Sequence, residues 1–230
     1  LPPHFDQLTI GSCVANAELA KVRIFQSQIL GYIAEPLSRL FLYKVLRNLQ
    51  ADHGDTGGYL RTGAQAQVMF GAPPEALYPY NIKHYDHEPA AFQYAAAQNY
   101  QGLTYYRLDP IGKSADKVID SIKLNIFSKR PATFGFSVYS NLNQKTGDVP
   151  LPGKADRLRG GHAGCLVGWD DNRKIGQSIG AFRDFNSWGD EMGDHGDLWI
   201  PYVYFRAGLA SDVWTMMSIE WLDLSVFRDP

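Results

Sequence analysis

The chain is poor in cysteine and balanced in charge. Only Cys13 and Cys165 occur among 230 residues, which argues against a small secreted fold held together by disulfides. The 22 basic and 24 acidic residues leave a net charge of -2, so there is no electrostatic basis for binding nucleic acid. No apolar run approaches the length that spans a bilayer, and we expect no membrane span.

Metal-ligand spacings are also missing. The histidines are scattered along the chain: His4, His53, His84, His87, His162 and His195. With only two thiols, none of these spacings resembles a structural zinc site. His84 and His87 stand beside Asp86 and Glu88, a cluster that we interpret as a solvated loop. We therefore expect neither a metal nor a cofactor.

The two halves of the chain differ in their apolar periodicity. Helical spacing predicts helices over 13–30, after Pro36, over 61–70 and over 89–100, with Gly31 as the stop of the first. Later segments rich in aromatic and β-branched residues predict strands at 103–108, 131–139, 162–169, 179–185, 198–204 and 213–222. A helix is expected at 114–127 and a hairpin turn at 170–174. The pattern predicts one α+β domain over 1–230, with a helical lobe of about 8–102 and a β lobe of about 103–230.

Cys13 stands at the first residue of the first predicted helix, six residues after Gln7. A helix N-terminus carries partial positive charge and free N–H groups, which lower the pKa of a thiol and can bind a developing anion. Both properties suit a thiol that attacks carbonyl groups. The other interpretation is that Cys13 is a small buried hydrophobe, as free cysteines usually are.

Two later motifs bear on that choice. Gly160-Gly161-His162 opens an apolar strand, and Asn186-Ser187-Trp188-Gly189 ends another. Taken singly, His162 could be an ordinary histidine at a strand edge, and Asn186 an ordinary turn residue.

Taken in order, the Gln, the Cys, the Gly-Gly-His run and Asn-Ser-Trp-Gly resemble the papain-like cysteine peptidases of the C1 family. His162 lies 149 residues after Cys13, and Asn186 lies 173 residues after Cys13. The Cys-to-His spacing fits that family. The Cys-to-Asn spacing is longer than is typical of the family, and we attribute the excess to a hairpin at 170–179. Thr56-Gly57-Gly58-Tyr59 and Tyr78-Pro79-Tyr80 are similar to two further family landmarks. The resemblance implies a two-lobed fold with a helical left lobe, an antiparallel β-barrel-like right lobe and a cleft between them. N-terminal residues would cross onto the β lobe.

The resemblance also implies catalytic roles. Cys13 would be the nucleophile, and His162 would hold an ion pair with it and then act as acid and base. Asn186 would orient the imidazole ring, Trp188 would shield that hydrogen bond from water, and Gln7 would donate to the oxyanion.

Substrate binding is implied for Gly57, Gly58, Tyr59, Gly161 and Trp188. Departures from the family pattern are informative too. Ile10 and Asp55 occupy positions where secreted relatives carry a bridging cysteine pair, so the match is with a bacterial-type, disulfide-poor branch.

The expected partner is a peptide or protein substrate, and an inhibitory propeptide before Leu1 is a further expectation. We expect a monomer. The compartment stays open between the cytoplasm and secretion from a bacterium. Alternative functions are another thiol acyl-transfer enzyme (an amidase, a transpeptidase or a transglutaminase-like enzyme) and a non-catalytic binding module on the same fold.

Overall fold

The computed structural model describes residues 1–102 and 104–216. Four helices occupy the first half of the chain: α1 (Cys13–Leu30), α2 (Arg39–Gln50), α3 (Leu60–Met69) and α4 (Ala91–Ala97). Short 3₁₀ turns lie at Ile82–His84 and Gln98–Tyr100. The predicted helices are confirmed to within a few residues, and α1 ends where Gly31 takes a left-handed conformation with φ +74°.

The second half forms an antiparallel sheet. Its strands are β1 (Tyr105–Arg107), β2 (Ala132–Tyr139), β3 (Leu158–Ile175), β4 (Ser178–Phe185), β5 (Asp197–Pro201) and β6 (Ala210–Met216). Their order is β1-β6-β2-β3-β4-β5, and every pairing is antiparallel. Helices α5 (Ala115–Phe127) and α6 (Tyr202–Arg206) pack on the sheet. The α+β class is confirmed, while the lobe boundary near residue 102 stays a prediction.

Two local predictions are wrong. Residues 170–174 are not the hairpin turn, because β3 continues to Ile175 and the chain turns at residues 176–177, where Gly176 adopts φ +59°. The strand expected at 198–204 ends at Pro201, and α6 begins at Tyr202. The ring of Tyr202 packs on Phe182, so tertiary packing outweighs its strand propensity. Leu103, the first residue of the strand predicted at 103–108, and residues 217–222, the last of the strand predicted at 213–222, lie outside the described residues.

Helix α1 runs through the core and presents its first residue, Cys13, to the sheet. It contacts β3 and β2, and most of its side chains are buried, charged ones included. Lys21 Nζ lies 2.7 Å from Glu18 Oε2, and both side chains are fully buried. Thr133 on β2 donates to the other carboxylate oxygen of Glu18 at 2.7 Å. These contacts compensate the buried charges and join the helix to the sheet next to Cys13.

Candidate active site

Cys13 lies at the junction of α1 and β3. It is partly exposed and lines a cleft that His162 and Ala163 of β3 also line. The backbone N–H groups of Ala163, Val14 and Cys13 itself act on its thiol in the direction that lowers the pKa. The thiol therefore lies between the free N–H groups at the start of α1 and Ala163, the neighbour of His162 on β3.

His162 is held on three sides. Its Nε2 lies 2.8 Å from Asn186 Oδ1, and the ring of Trp188 lies against it at a tilt, with centroids 4.4 Å apart. Phe136, its partner across the β2–β3 pair, meets the ring edge-on. Because an amide oxygen only accepts hydrogen bonds, Nε2 carries the hydrogen of the neutral ring, and Nδ1 keeps a lone pair.

Burial shifts both groups toward their neutral forms. Desolvation raises the pKa of the Cys13 thiol, against the lowering effect of the backbone hydrogen bonds. Burial also lowers the pKa of His162 to about 4, although the hydrogen bond to Asn186 acts in the opposite direction. The position at the helix start alone predicts a lowered pKa for the Cys13 thiol. That prediction is wrong, because desolvation raises the pKa by more than the backbone groups at the helix start lower it.

Gln7 is tied to the Asn-Ser-Trp-Gly segment. Its backbone N–H donates to Ser187 O at 2.8 Å, and its side-chain Oε1 accepts from Ser187 Oγ at 2.8 Å. Its Nε2 donates to Ile10 O at 3.1 Å, which leaves one amide hydrogen without a partner in the described part of the chain. Gln7 is buried and is not among the residues that line the cleft.

The predicted substrate-binding residues Gly57, Gly58, Tyr59 and Gly161 all line the cleft that contains Cys13. Two of them also need to be glycine for local reasons. Gly57 has φ +77°, and a Cβ on Gly58 would lie 2.2 Å from Cδ1 of the buried Leu46. Trp188 covers His162 and lines a neighbouring pocket rather than this cleft.

Hydrogen bonds join the loop that contains Ile10 and Gly11 to the loop that contains Asp55 and Gly57. Asp55 Oδ1 accepts from the backbone N–H of Gly11 at 2.8 Å and from the hydroxyl of Tyr43. That hydroxyl in turn accepts from Gly57 N at 3.2 Å. The carboxylate and the phenol thus connect the loop before Cys13 with the loop that carries Gly57.

Several cleft residues have no signal in the sequence. Phe136 and Ser137 of β2, and Leu209, Ser211 and Asp212 around the start of β6, also line the cleft. The β2–β3 and β2–β6 registers bring these segments beside His162, and no local motif encodes those registers.

The second cysteine is enclosed in the sheet. Cys165 is fully buried, as predicted, and burial raises the pKa of its thiol. Its backbone N–H donates at 2.7 Å to Asp184 Oδ1, and Asp184 Oδ2 has no partner among the described residues. Burial raises the pKa of Asp184 to about 7, so this carboxyl takes up a proton near neutral pH.

The raised pKa of Asp184 makes stability depend on pH. The ordinary value is 3.8 and the folded value about 7. The contribution of Asp184 to stability is therefore complete below about pH 4 and is lost as pH rises through about 7. We expect Asp184→Asn to flatten the fall in the free energy of unfolding between about pH 4 and about pH 7, measured by urea denaturation. An equal fall in both proteins would contradict the buried, protonated carboxyl.

The described residues contain no group of three or more metal-ligating side chains in binding geometry. His84 and His87 stack on each other with ring centroids 4.6 Å apart. Among residues 1–102 and 104–216, no helix is both long and apolar enough to cross a bilayer.

Comparison with known proteins identifies the family. Residues 3–216 match the model of the papain family cysteine proteases. The chain belongs to that family. An uncharacterized peptidase C1-like protein of Acanthamoeba polyphaga mimivirus is 32% identical over 226 residues, which are 94% of this chain and 70% of the viral protein.

Solved structures of cysteine proteases share the architecture. Xylellain, a cysteine protease from Xylella fastidiosa, is 32% identical with a TM-score of 0.80, over 94% of this chain and 83% of xylellain. Digestive procathepsin L 3 of Tenebrio molitor is 18% identical with a TM-score of 0.68, over 94% of this chain and 67% of that one, a likeness of fold alone. The papain-like fold is thereby confirmed, and the chain is a papain-family cysteine peptidase. One relative is viral and one bacterial, so the bacterial origin is not confirmed.

Proposed function

We propose that this peptidase cleaves peptide bonds with Cys13 as nucleophile, His162 as acid and base, and Asn186 as the residue that orients the imidazole. The observation that carries the proposal is the cleft shared by Cys13 and His162, with the far nitrogen of His162 held 2.8 Å from Asn186 Oδ1. With Nε2 occupied by Asn186, Nδ1 is the ring nitrogen left to exchange a proton with the thiol.

The first half-reaction begins with a proton transfer inside the pair. The pKa directions favour a neutral thiol and a neutral imidazole, but transfer from sulfur to Nδ1 of His162 leaves the net charge unchanged. The thiolate of Cys13 attacks the carbonyl carbon, and the carbonyl oxygen becomes an oxyanion near the helix start. When the C–N bond breaks, imidazolium gives its proton to the departing amine and an acyl-thioester remains.

The second half-reaction releases the acyl group. His162 takes a proton from water, the resulting hydroxide attacks the thioester carbon, and the thiol of Cys13 leaves as thiolate. In both half-reactions the free amide hydrogen of Gln7 and the backbone N–H of Cys13 would stabilise the oxyanion. Trp188 excludes water from the His162–Asn186 contact, where a desolvated hydrogen bond is stronger.

The substrate of this proposal is an extended peptide. Gly57 and Gly58 would offer backbone groups to it, and Tyr59 and Gly161 would flank its side chains. Two solved structures with a similar fold are proenzymes, a procathepsin B and a procathepsin L. By analogy, we propose an inhibitory propeptide for this chain. A monomeric state stays a prediction.

The function is tested by incubating the purified protein with a mixed peptide library and reading the products by mass spectrometry. We expect hydrolysed fragments, and we expect the cleaved peptides to share a residue preference on the acyl side of the cleaved bond. Ligated products would instead identify a transpeptidase. An intact library, together with a thiol at Cys13 that resists alkylation, would contradict the proposed catalysis.

A further inference from the structure

A second pocket lies beside the catalytic cleft, across Trp188 from it. We call it the leaving-side pocket; its walls include Tyr139, Leu142, Arg159, Trp188 and Met192. Its remaining lining residues are Val138, Ser140 and Gln144. Among the described residues that line this pocket, Arg159 is therefore the one with a formal charge.

Strands β2 and β3 contribute residues to both pockets. On β2, Ser137 lines the cleft and Val138 lines the leaving-side pocket, while on β3 Gly161 lines the cleft and Arg159 lines the leaving-side pocket. His162 lines the cleft, and Trp188, which lines the leaving-side pocket, lies against the His162 ring with centroids 4.4 Å apart. A peptide lying over Cys13 and His162 thus has one pocket on each side of the bond that is cut.

The direction of the peptide follows from the proposed function, on which this inference rests. The acyl half pairs with Gly57 and Gly58 in the cleft. The departing half then has to leave on the other side of His162, across Trp188. It reaches the leaving-side pocket, where Arg159 is the charged group.

The Arg159 side chain is available for a ligand. It is exposed, and within the described residues it has no carboxylate within 4.0 Å and makes no side-chain hydrogen bond. Asp156, a carboxylate in the loop that precedes β3, already accepts from Gly153 N at 2.7 Å and contacts Ser140. A guanidinium without a partner, beside the aromatic wall of Trp188, matches a carboxylate in geometry and charge.

We propose that Arg159 recognises a carboxylate in the departing half of the substrate and is a specificity-determining residue of this peptidase. That carboxylate has two possible sources. One is the C-terminus of a short departing segment, which would make the enzyme release small C-terminal fragments. The other is an Asp or Glu side chain within a longer segment.

The test uses peptides that share one acyl half, selected from the library. In the first pair, a short departing half ends in either a free carboxylate or an amide. In the second pair, a longer departing half ends in an amide and carries either Glu or Gln. The ratio of kcat/KM between the charged and neutral members of each pair is measured for the unmodified protein, Arg159→Gln, Arg159→Glu and Arg157→Gln. Arg157 is the matched control, since it carries the same charge on the same segment but does not line the pocket.

We expect the unmodified protein to prefer the charged member of one pair by about two- to fivefold, the range of an exposed ion pair. Arg159→Gln should abolish the preference, Arg159→Glu should invert it, and Arg157→Gln should retain it. A preference for the free C-terminus identifies the first source, and a preference for Glu identifies the second. Equal cleavage of charged and neutral peptides, or a preference that survives in Arg159→Gln, would overturn this inference while leaving the peptidase function intact.

Discussion

Cys13→Ala is expected to remove peptide hydrolysis, while Cys165→Ala keeps it. Removing the nucleophile of a catalytic triad lowers kcat by about a million-fold in a well-studied protease, and a loss of that order is expected here. Cys165 is fully buried in the sheet and its thiol pKa is raised, so it cannot take over the chemistry. Cleavage of a fluorogenic peptide by each variant measures the difference.

Thiol labelling provides an independent measurement of the same assignment. A limiting amount of an epoxide or alkylating probe should add a single label, located at Cys13 by peptide mapping. Thermal unfolding of Cys13→Ala should match the unmodified protein, because the residue is partly exposed. Retained hydrolysis in Cys13→Ala, or equal labelling of both thiols, would exclude Cys13 as the nucleophile.

Gln7→Ala is expected to lower kcat by about a hundred- to a thousandfold, the usual effect of losing one oxyanion donor. The alkylation rate of Cys13 should change little, because alkylation by a haloacetamide develops no oxyanion. That contrast separates a role in the transition state from general damage to the site. Steady-state hydrolysis and single-turnover alkylation, measured on the same preparation, give both rates.

Ser187→Ala is the matched control for Gln7. The Ser187 hydroxyl holds Oε1 of Gln7 at 2.8 Å, so its removal loosens the Gln7 side chain without deleting the donor. We expect a smaller loss of kcat than in Gln7→Ala. If both rates of Gln7→Ala fell together, or if kcat were unchanged, Gln7 would not be the oxyanion donor.

Much of the fold could be predicted from local patterns. The bounds of α1 and its stop at Gly31 follow from helical periodicity and from the left-handed conformation that glycine tolerates. The strand-to-helix change at Tyr202 could not be predicted in this way. Aromatic residues suit both structures, and contact with Phe182, which is distant in sequence, selects the helix.

The candidate site also contains residues that the sequence predicted and residues that only the structure revealed. The order of Gln7, Cys13, His162 and Asn186 indicated the family and each residue's expected role before any geometry. The cleft walls from β2 and β6 could not be found, since sheet register determines which residues lie opposite His162.

The sequence by itself determined that this chain resembles a papain-like cysteine peptidase, because its motifs are short, ordered and chemically specific. Only the tertiary structure decided the direction of the thiol pKa, the hydrogen bonds of Asp55 across the two loops, and the unpaired Arg159 in the leaving-side pocket. The physical reason is that burial and ion pairing depend on atoms brought together from distant parts of the chain. No local pattern records which groups those will be.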